Sequence, residues 1–216
     1  MIPLHDVTSL FIVVLGISLL PFVAMVVTSY AKIVVVLGLL RNALGVQQVP
    51  PNMVLNGIAI LASIYIMGPM EISAMNAVKN HRIGGDSTNM LFDAIEVVRP
   101  QFQEFLSKHT RDREKIFFLK SAKVIWPKEQ AEKLSQNDLI VLAPAFTLSE
   151  LTDAFRIGFI LYLAFIVVDL IIANILISMG LNQVQPSNVA IPFKLLLFVM
   201  LDGWSVLIHG LIMTYR

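Results

Sequence analysis

The chain has 216 residues, 56% of them hydrophobic and only 14% charged, with a mean hydropathy of +0.76. Soluble domains carry about 25% charged residues, so a water-soluble globule and a disordered chain are both excluded; an integral membrane protein remains. The net charge of +1 argues against a nucleic-acid partner, and the absence of cysteine excludes disulfides, thiolate metal sites and a cysteine nucleophile.

Taken in chain order, residues 7–31 form 25 consecutive uncharged positions and residues 42–70 form 29 more. About 20 apolar residues cross about 30 Å of hydrocarbon, so the sequence predicts helices over roughly 7–40 and 53–75. Pro50-Pro51-Asn52 marks the turn between them, because proline lacks the N–H of a helix interior yet suits a first turn. The first run reads as a retained membrane helix. Met1–Asp6 carries no Lys or Arg, and Thr28-Ser29-Tyr30 leads into further apolar sequence instead of a cleavage site.

The middle of the chain is different. Of the 16 basic and 15 acidic residues, 21 fall between Glu71 and Asp138. Met90, Leu91, Ala94, Ile95 and Val98, continued by Phe102, Phe105 and Leu106 beyond Pro100, recur at helical spacing. Gly84-Gly85 before Asp86-Ser87-Thr88 reads as a turn feeding an N-cap. The alternating signs of Arg111 to Lys115 read as a solvated helical face. No stretch shows sustained β alternation.

Beyond this block, Thr147-Leu148-Ser149-Glu150 fits a capping box and, just after Pro144, starts a third helix running roughly 150–181. The polar stretch Gly180 to Pro192 turns the chain into a fourth, roughly 192–214. The expected organisation is an N-terminal membrane hairpin (1–75), a helical domain (76–143) and a C-terminal membrane hairpin (144–216). Lys32, Arg41 and Lys194 near the hairpin tips place both tips in the cytoplasm and the central domain on the periplasmic side.

A few charges remain in the apolar segments. A charge at the bilayer centre costs about 2.5–3.5 kcal/mol, against roughly −7 kcal/mol from the 16 Leu, Ile, Phe and Val residues of Ile157–Leu181, so Asp169 can insert but needs a partner or water. At 1.5 Å per helical residue, Asp169 lies about 18 Å, Asp202 about 15 Å and Lys32 about 14 Å from their tips, while Lys194 lies too near its own tip for Asp169 in a straight hairpin. Lys32 is therefore the expected partner of Asp169 or Asp202, within or between subunits. A structural ion pair is preferred over a proton relay, which needs a chain of such groups. Asn56, Asn174, Ala24, Thr28, Ala59 and Ser63 suit close helix packing. The ten methionines read as adaptable packing.

Chemistry-bearing motifs are lacking: there is no G-x-S-x-G, H-E-x-x-H, G-x-x-x-x-G-K-[ST] or G-x-G-x-x-G. His5, His81, His109 and His209 have no ligand spacing. No catalytic residue, metal site or cofactor is expected.

Three polar-rich stretches carry a resemblance. The first runs from Thr28-Ser29-Tyr30-Ala31-Lys32 through Arg41-Asn42-Ala43-Leu44-Gly45-Val46-Gln47-Gln48-Val49-Pro50-Pro51-Asn52. The second is Pro144-Ala145-Phe146-Thr147-Leu148-Ser149-Glu150-Leu151 with Ala154-Phe155-Arg156-Ile157-Gly158, and the third is Pro192-Phe193-Lys194-Leu195 with Asp202-Gly203-Trp204. In order and spacing the chain resembles the type III secretion export-apparatus proteins of the FliP/SctR family, in its injectisome branch.

The resemblance implies an all-α protein of the Gram-negative inner membrane, with two long helical hairpins flanking a helical periplasmic domain. It also implies a pentamer with FliQ/SctS-like and FliR/SctT-like membrane subunits and other export-apparatus proteins. In that family the assembly is a helical cone that gates unfolded secreted polypeptides, and its subunits also meet membrane lipid. Relatives often carry a methionine run after the glycine matching Gly180, where this chain has Leu181-Asn182-Gln183-Val184. Met179, Leu181 and Val184 are then the candidates for a lumen gasket, and Lys32, Asp169, Lys194 and Asp202 for intersubunit charge pairs. The alternative reading is a small ion- or proton-coupled carrier using the same charges.

Overall fold

A computed structural model describes residues 4–80, 87–181 and 183–216, and every regular element among them is a helix. The elements are α1 (Leu4–Val27), α2 (Tyr30–Leu44), α3 (Asn52–Asn80), α4 (Ser87–His109), α5 (Asp112–Ile125), α6 (Lys128–Ala131), α7 (Leu139–Ser178), α8 (Pro186–Met200) and α9 (Gly203–Met213). Stretches within α3 (Asn52–Ala77) and α7 are long and apolar enough to cross a membrane. Counting the pairs Pro21–Val27 with α2, and α8 with α9, as one span each gives four. An all-α membrane protein is therefore what the apolar runs specify. Prolines inside α1, α3, α4, α7 and α8 do not end these helices. In the apolar helices α3, α7 and α8, neighbouring groups can re-satisfy the backbone that proline frees.

Three of the expected boundaries need correction. The first helix does not run unbroken over 7–40, because the chain leaves the helix at Thr28-Ser29. There Thr28 Oγ1 donates back to the Ala24 carbonyl, a local bond that competes with the helix ladder. The third helix starts at Leu139, before Pro144. Val141 and Leu142 N–H groups reach the Asp138 carbonyl, and Asp138 Oδ2 accepts from Ser135 N–H at 2.7 Å. Thr147 and Glu150 thus lie inside α7 and form no capping box. The fourth helix starts at Pro186, six residues earlier than expected, and breaks at Asp202 with a 64° bend. Asp202 holds φ +50°, a left-handed conformation that ends α8 and launches α9 at Gly203.

The helices fall into two compact units. The first comprises Met1–Ser29 and Met67–Glu150. Its core joins Val27 of α1, Leu106 of α4, and Leu142 and Phe146 of α7, with Phe102, Phe105 and Leu139 packed around them. The Phe105 ring lies 6.0 Å from Phe146 and 4.8 Å from His109. Thr147 Oγ1 sits 2.9 Å from both the Val26 and the Ala143 carbonyls. Arg111 N–H donates to Ser149 Oγ at 3.1 Å.

The α4 stripe is thus confirmed at Phe102, Phe105 and Leu106, but Ile95 is exposed. The side chains of Met90, Leu91 and Ala94, and the Gly84-Gly85-Asp86 turn, lie outside the described residues. Arg111–Lys115 is only partly a solvated face. Asp112 and Arg113 are exposed, whereas Lys115 is buried and donates to the Ser107 carbonyl at 2.7 Å, in the last turn of α4. A cation there satisfies a carbonyl that the helix cannot and meets the negative end of its dipole.

The second unit comprises Tyr30–Ile66 and Leu151–Arg216. Ile33, Val36 and Leu37 of α2, Leu55, Ala59 and Ala62 of α3, Ala154 of α7 and Leu211 of α9 form its main core. Ala59 and Ala154 are fully buried, and such small side chains let helices approach closely. Ile172 and Leu176 of α7 meet Ala190 of α8 in a smaller cluster.

Candidate functional site

Lys194 and Asp169 of the second unit meet at the carboxyl end of α2. Lys194 of α8, its side chain 6% exposed, lies 2.7 Å from both carboxylate oxygens of Asp169, whose side chain is 43% exposed. The same ammonium donates to the Ala43 carbonyl at 3.1 Å. One cation therefore ties α7 to α8 and satisfies a terminal carbonyl of α2, where the helix dipole favours positive charge. The depth argument that kept Lys194 from Asp169 fails because α8 begins at Pro186. Six further residues put Lys194 about 9 Å deeper along its helix, and the lysine stem covers the remainder.

Lys32 occupies a different place. Its ammonium donates to Thr214 Oγ1 at 3.2 Å and sits 3.8 Å above the centre of the Tyr215 ring. Such a cation–π contact gains strength where water is excluded, and Lys32 is buried. These partners sit at the carboxyl end of α9, and no hydropathy argument points to them. The exposed carboxylate of Asp202 has no ion-pair partner among the described residues. Within this unit the structure brings Lys194 and Asp169 together; it does not add Lys32 or Asp202 to that cluster.

The first family stretch builds the turn beside this clamp. Arg41 Nη1 donates to Asn52 Oδ1 at 2.7 Å and to the Pro50 carbonyl at 3.2 Å, stapling the end of α2 to the start of α3. Gly45 has φ +76°, and a Cβ there would stand 3.0 Å from Ile191 Cγ1. Asn42, Gln47, Gln48 and Pro51 are exposed along the turn, and Pro50 is half-buried. In the second stretch Phe155 is exposed and Glu150 is 1% exposed.

Two glycines mark close approaches. A Cβ on Gly158 of α7 would collide with Leu39 of α2, its Cβ included, and one on Gly203 would enter the Phe198 ring. That ring meets Trp204 edge-on at 5.3 Å and 87°. Gly158→Ala is expected to cost about 1–3 kcal/mol through overpacking, because the Leu39 Cβ cannot swing away. A thermal unfolding midpoint indistinguishable from wild type would contradict this packing.

At the end of α7, Gly180 (φ +76°) closes a Schellman turn. Leu181 N–H donates to the Leu176 carbonyl and Gly180 N–H to the Ile177 carbonyl, both at 3.0 Å. The motif presents Met179, Leu181 and Val184 as exposed side chains on one short turn; Asn182 lies outside the described residues.

Among the described residues no cluster of His, Asp and Glu is arranged to hold a metal ion. What the arrangement does is mechanical: it fixes helix ends and spacings. Outside those joints α7, α8 and α9 expose Phe155, Phe159, Leu170, Phe193, Val199 and Val206. Apolar surface on this scale belongs against lipid or other chains.

The fold and joints define an all-α membrane protein with large apolar faces. A model of the FliP family matches residues 13–211. The chain is 62% identical over 213 residues to the hypersensitivity response secretion protein HrcR of Ralstonia nicotianae, covering 98% of each chain. It is 46% identical over 218 residues to Yop proteins translocation protein R of Yersinia pestis, covering 100% of this chain and 99% of that one. Virulence protein YscR of Salmonella typhimurium is 38% identical over 198 residues, 92% of each chain. The chain belongs to the FliP family, in its type III secretion branch.

Proposed function

We propose that this chain is a core, non-enzymatic subunit of a type III export apparatus in the bacterial inner membrane. In this reading five copies join FliQ/SctS-like and FliR/SctT-like subunits in a cone, and residues 76–143 stand on the periplasmic side. The assembly gates unfolded secreted polypeptides. The observation that carries this is the end-to-end 62% identity with a protein named for secretion. Two features of the second unit support the assembly part. The apolar faces of α7 to α9 need cover. Asp202, set among exposed Val199, Met200 and Leu201, calls for a cation from another chain.

The carrier reading gains nothing from the geometry, since Asp169 is already held by Lys194 at 2.7 Å. Deleting the gene in its host should abolish type III secretion, with restoration from a plasmid copy; secretion that continues would overturn the proposal. Met179, Leu181 and Val184, repeated around an axis, form an apolar ring that seals the resting channel. Leu181→Gly is then expected to raise small-solute leakage in cells expressing the complete apparatus. Unchanged leakage would remove the gasket role while leaving the export role standing.

A further inference from the structure

We infer that the outer face of α5 lies on the bilayer surface and binds anionic lipid headgroups. In the first unit α5 turns Lys115 and Ala122 inward. Its outer stripe runs through Arg113, Ile116, Phe117, Lys120, Lys123 and Val124, all exposed and at helical spacing. Val124 is 86%, Ile125 76% and Phe117 56% exposed, more than water tolerates cheaply. Between Glu114 and Glu129 there is no acidic residue, whereas Lys120, Lys123 and Lys128 all point outward.

Interleaved lysines and bulky apolar groups without acids match the boundary of an anionic bilayer. Apolar side chains enter the acyl edge, while lysine stems bend back to the phosphates. The same unit carries α1, with Phe11, Leu15, Leu19 and Phe22 exposed. The unit therefore carries a second apolar surface suited to a bilayer.

Because the chain has no cysteine, Val124→Cys allows a single polarity-sensitive label on the full-length protein. A second label at Ile125→Cys and a solvent-exposed control at Gln130→Cys complete the set. The proteins are reconstituted in vesicles of phosphatidylcholine alone or mixed with phosphatidylglycerol, and quenched with neutral acrylamide. In the anionic vesicles both α5 labels should shift to the blue and escape most of the quenching, while the control does not. Each lysine changed to glutamine among Lys120, Lys123 and Lys128 should weaken the docking about fivefold, so the triple variant should release the labels. Labels quenched as strongly as the control would overturn the inference. So would protection that persists in detergent or rises with protein density regardless of lipid charge, since that would mean a second copy or another protein covers the face.

Discussion

Lys194→Ala is expected to destabilise the second unit by roughly 3 kcal/mol, the lower end of the range for removing one partner of a buried ion pair, because Asp169 is partly exposed. Two groups lose their donor at once: the Asp169 carboxylate and the Ala43 carbonyl at the end of α2. For a chain of this size the loss corresponds to a drop of about 6–12 °C in the unfolding midpoint of the detergent-purified protein. Secretion should fall with it. The double change Lys194→Met with Asp169→Leu should recover much of the midpoint, since an apolar pair leaves no stranded charge. If Lys194→Ala left the midpoint unchanged, the clamp would not be holding these helices.

The second large effect is expected at Phe146. It is fully buried among Val27, Leu106 and Leu142, and truncation to alanine leaves a cavity that rigid helices fill poorly. The cost is about 3–5 kcal/mol. Amide exchange should accelerate in α4 and in the first turns of α7, while α8 and α9, which belong to the other unit, keep their protection. The exposed neighbour Ile140 serves as control: Ile140→Ala should stay within about 0.5 kcal/mol. Equal acceleration in both units would show that they do not open separately.

Much of this protein is legible in its amino-acid order because hydropathy runs over long distances. The uncharged stretches at 7–31 and 42–70 and the charge-dense centre identify an all-α membrane chain without further help. The joints were harder to read, because each is decided by a few local bonds. The break at Thr28-Ser29 falls inside an otherwise apolar run, marked in the sequence only by two adjacent hydroxyl residues. Pro144 and the Thr147–Glu150 pattern mimic a helix start, yet α7 already begins at Leu139 behind the Asp138 turn.

That kind of error propagates to the candidate site. A last helix starting at Pro192 would leave Lys194 too shallow for Asp169 and Lys32 as the cation at that depth, whereas the start at Pro186 brings Lys194 within reach. Within the chain Lys32 engages Thr214 and Tyr215, which lie 182 and 183 positions away and become neighbours only through tertiary packing. The Pro50-Pro51-Asn52 turn, in contrast, was visible from local chemistry alone, and the structure adds Arg41, which bonds to Pro50 and Asn52 across it.

The proposed role as an oligomeric export subunit is tested most directly by native mass spectrometry of the complex extracted in mild detergent, after co-expression with the FliQ/SctS-like and FliR/SctT-like proteins. Five copies of this chain, with both smaller subunits bound, are the predicted mass. A stable monomer carrying no partner would contradict the account.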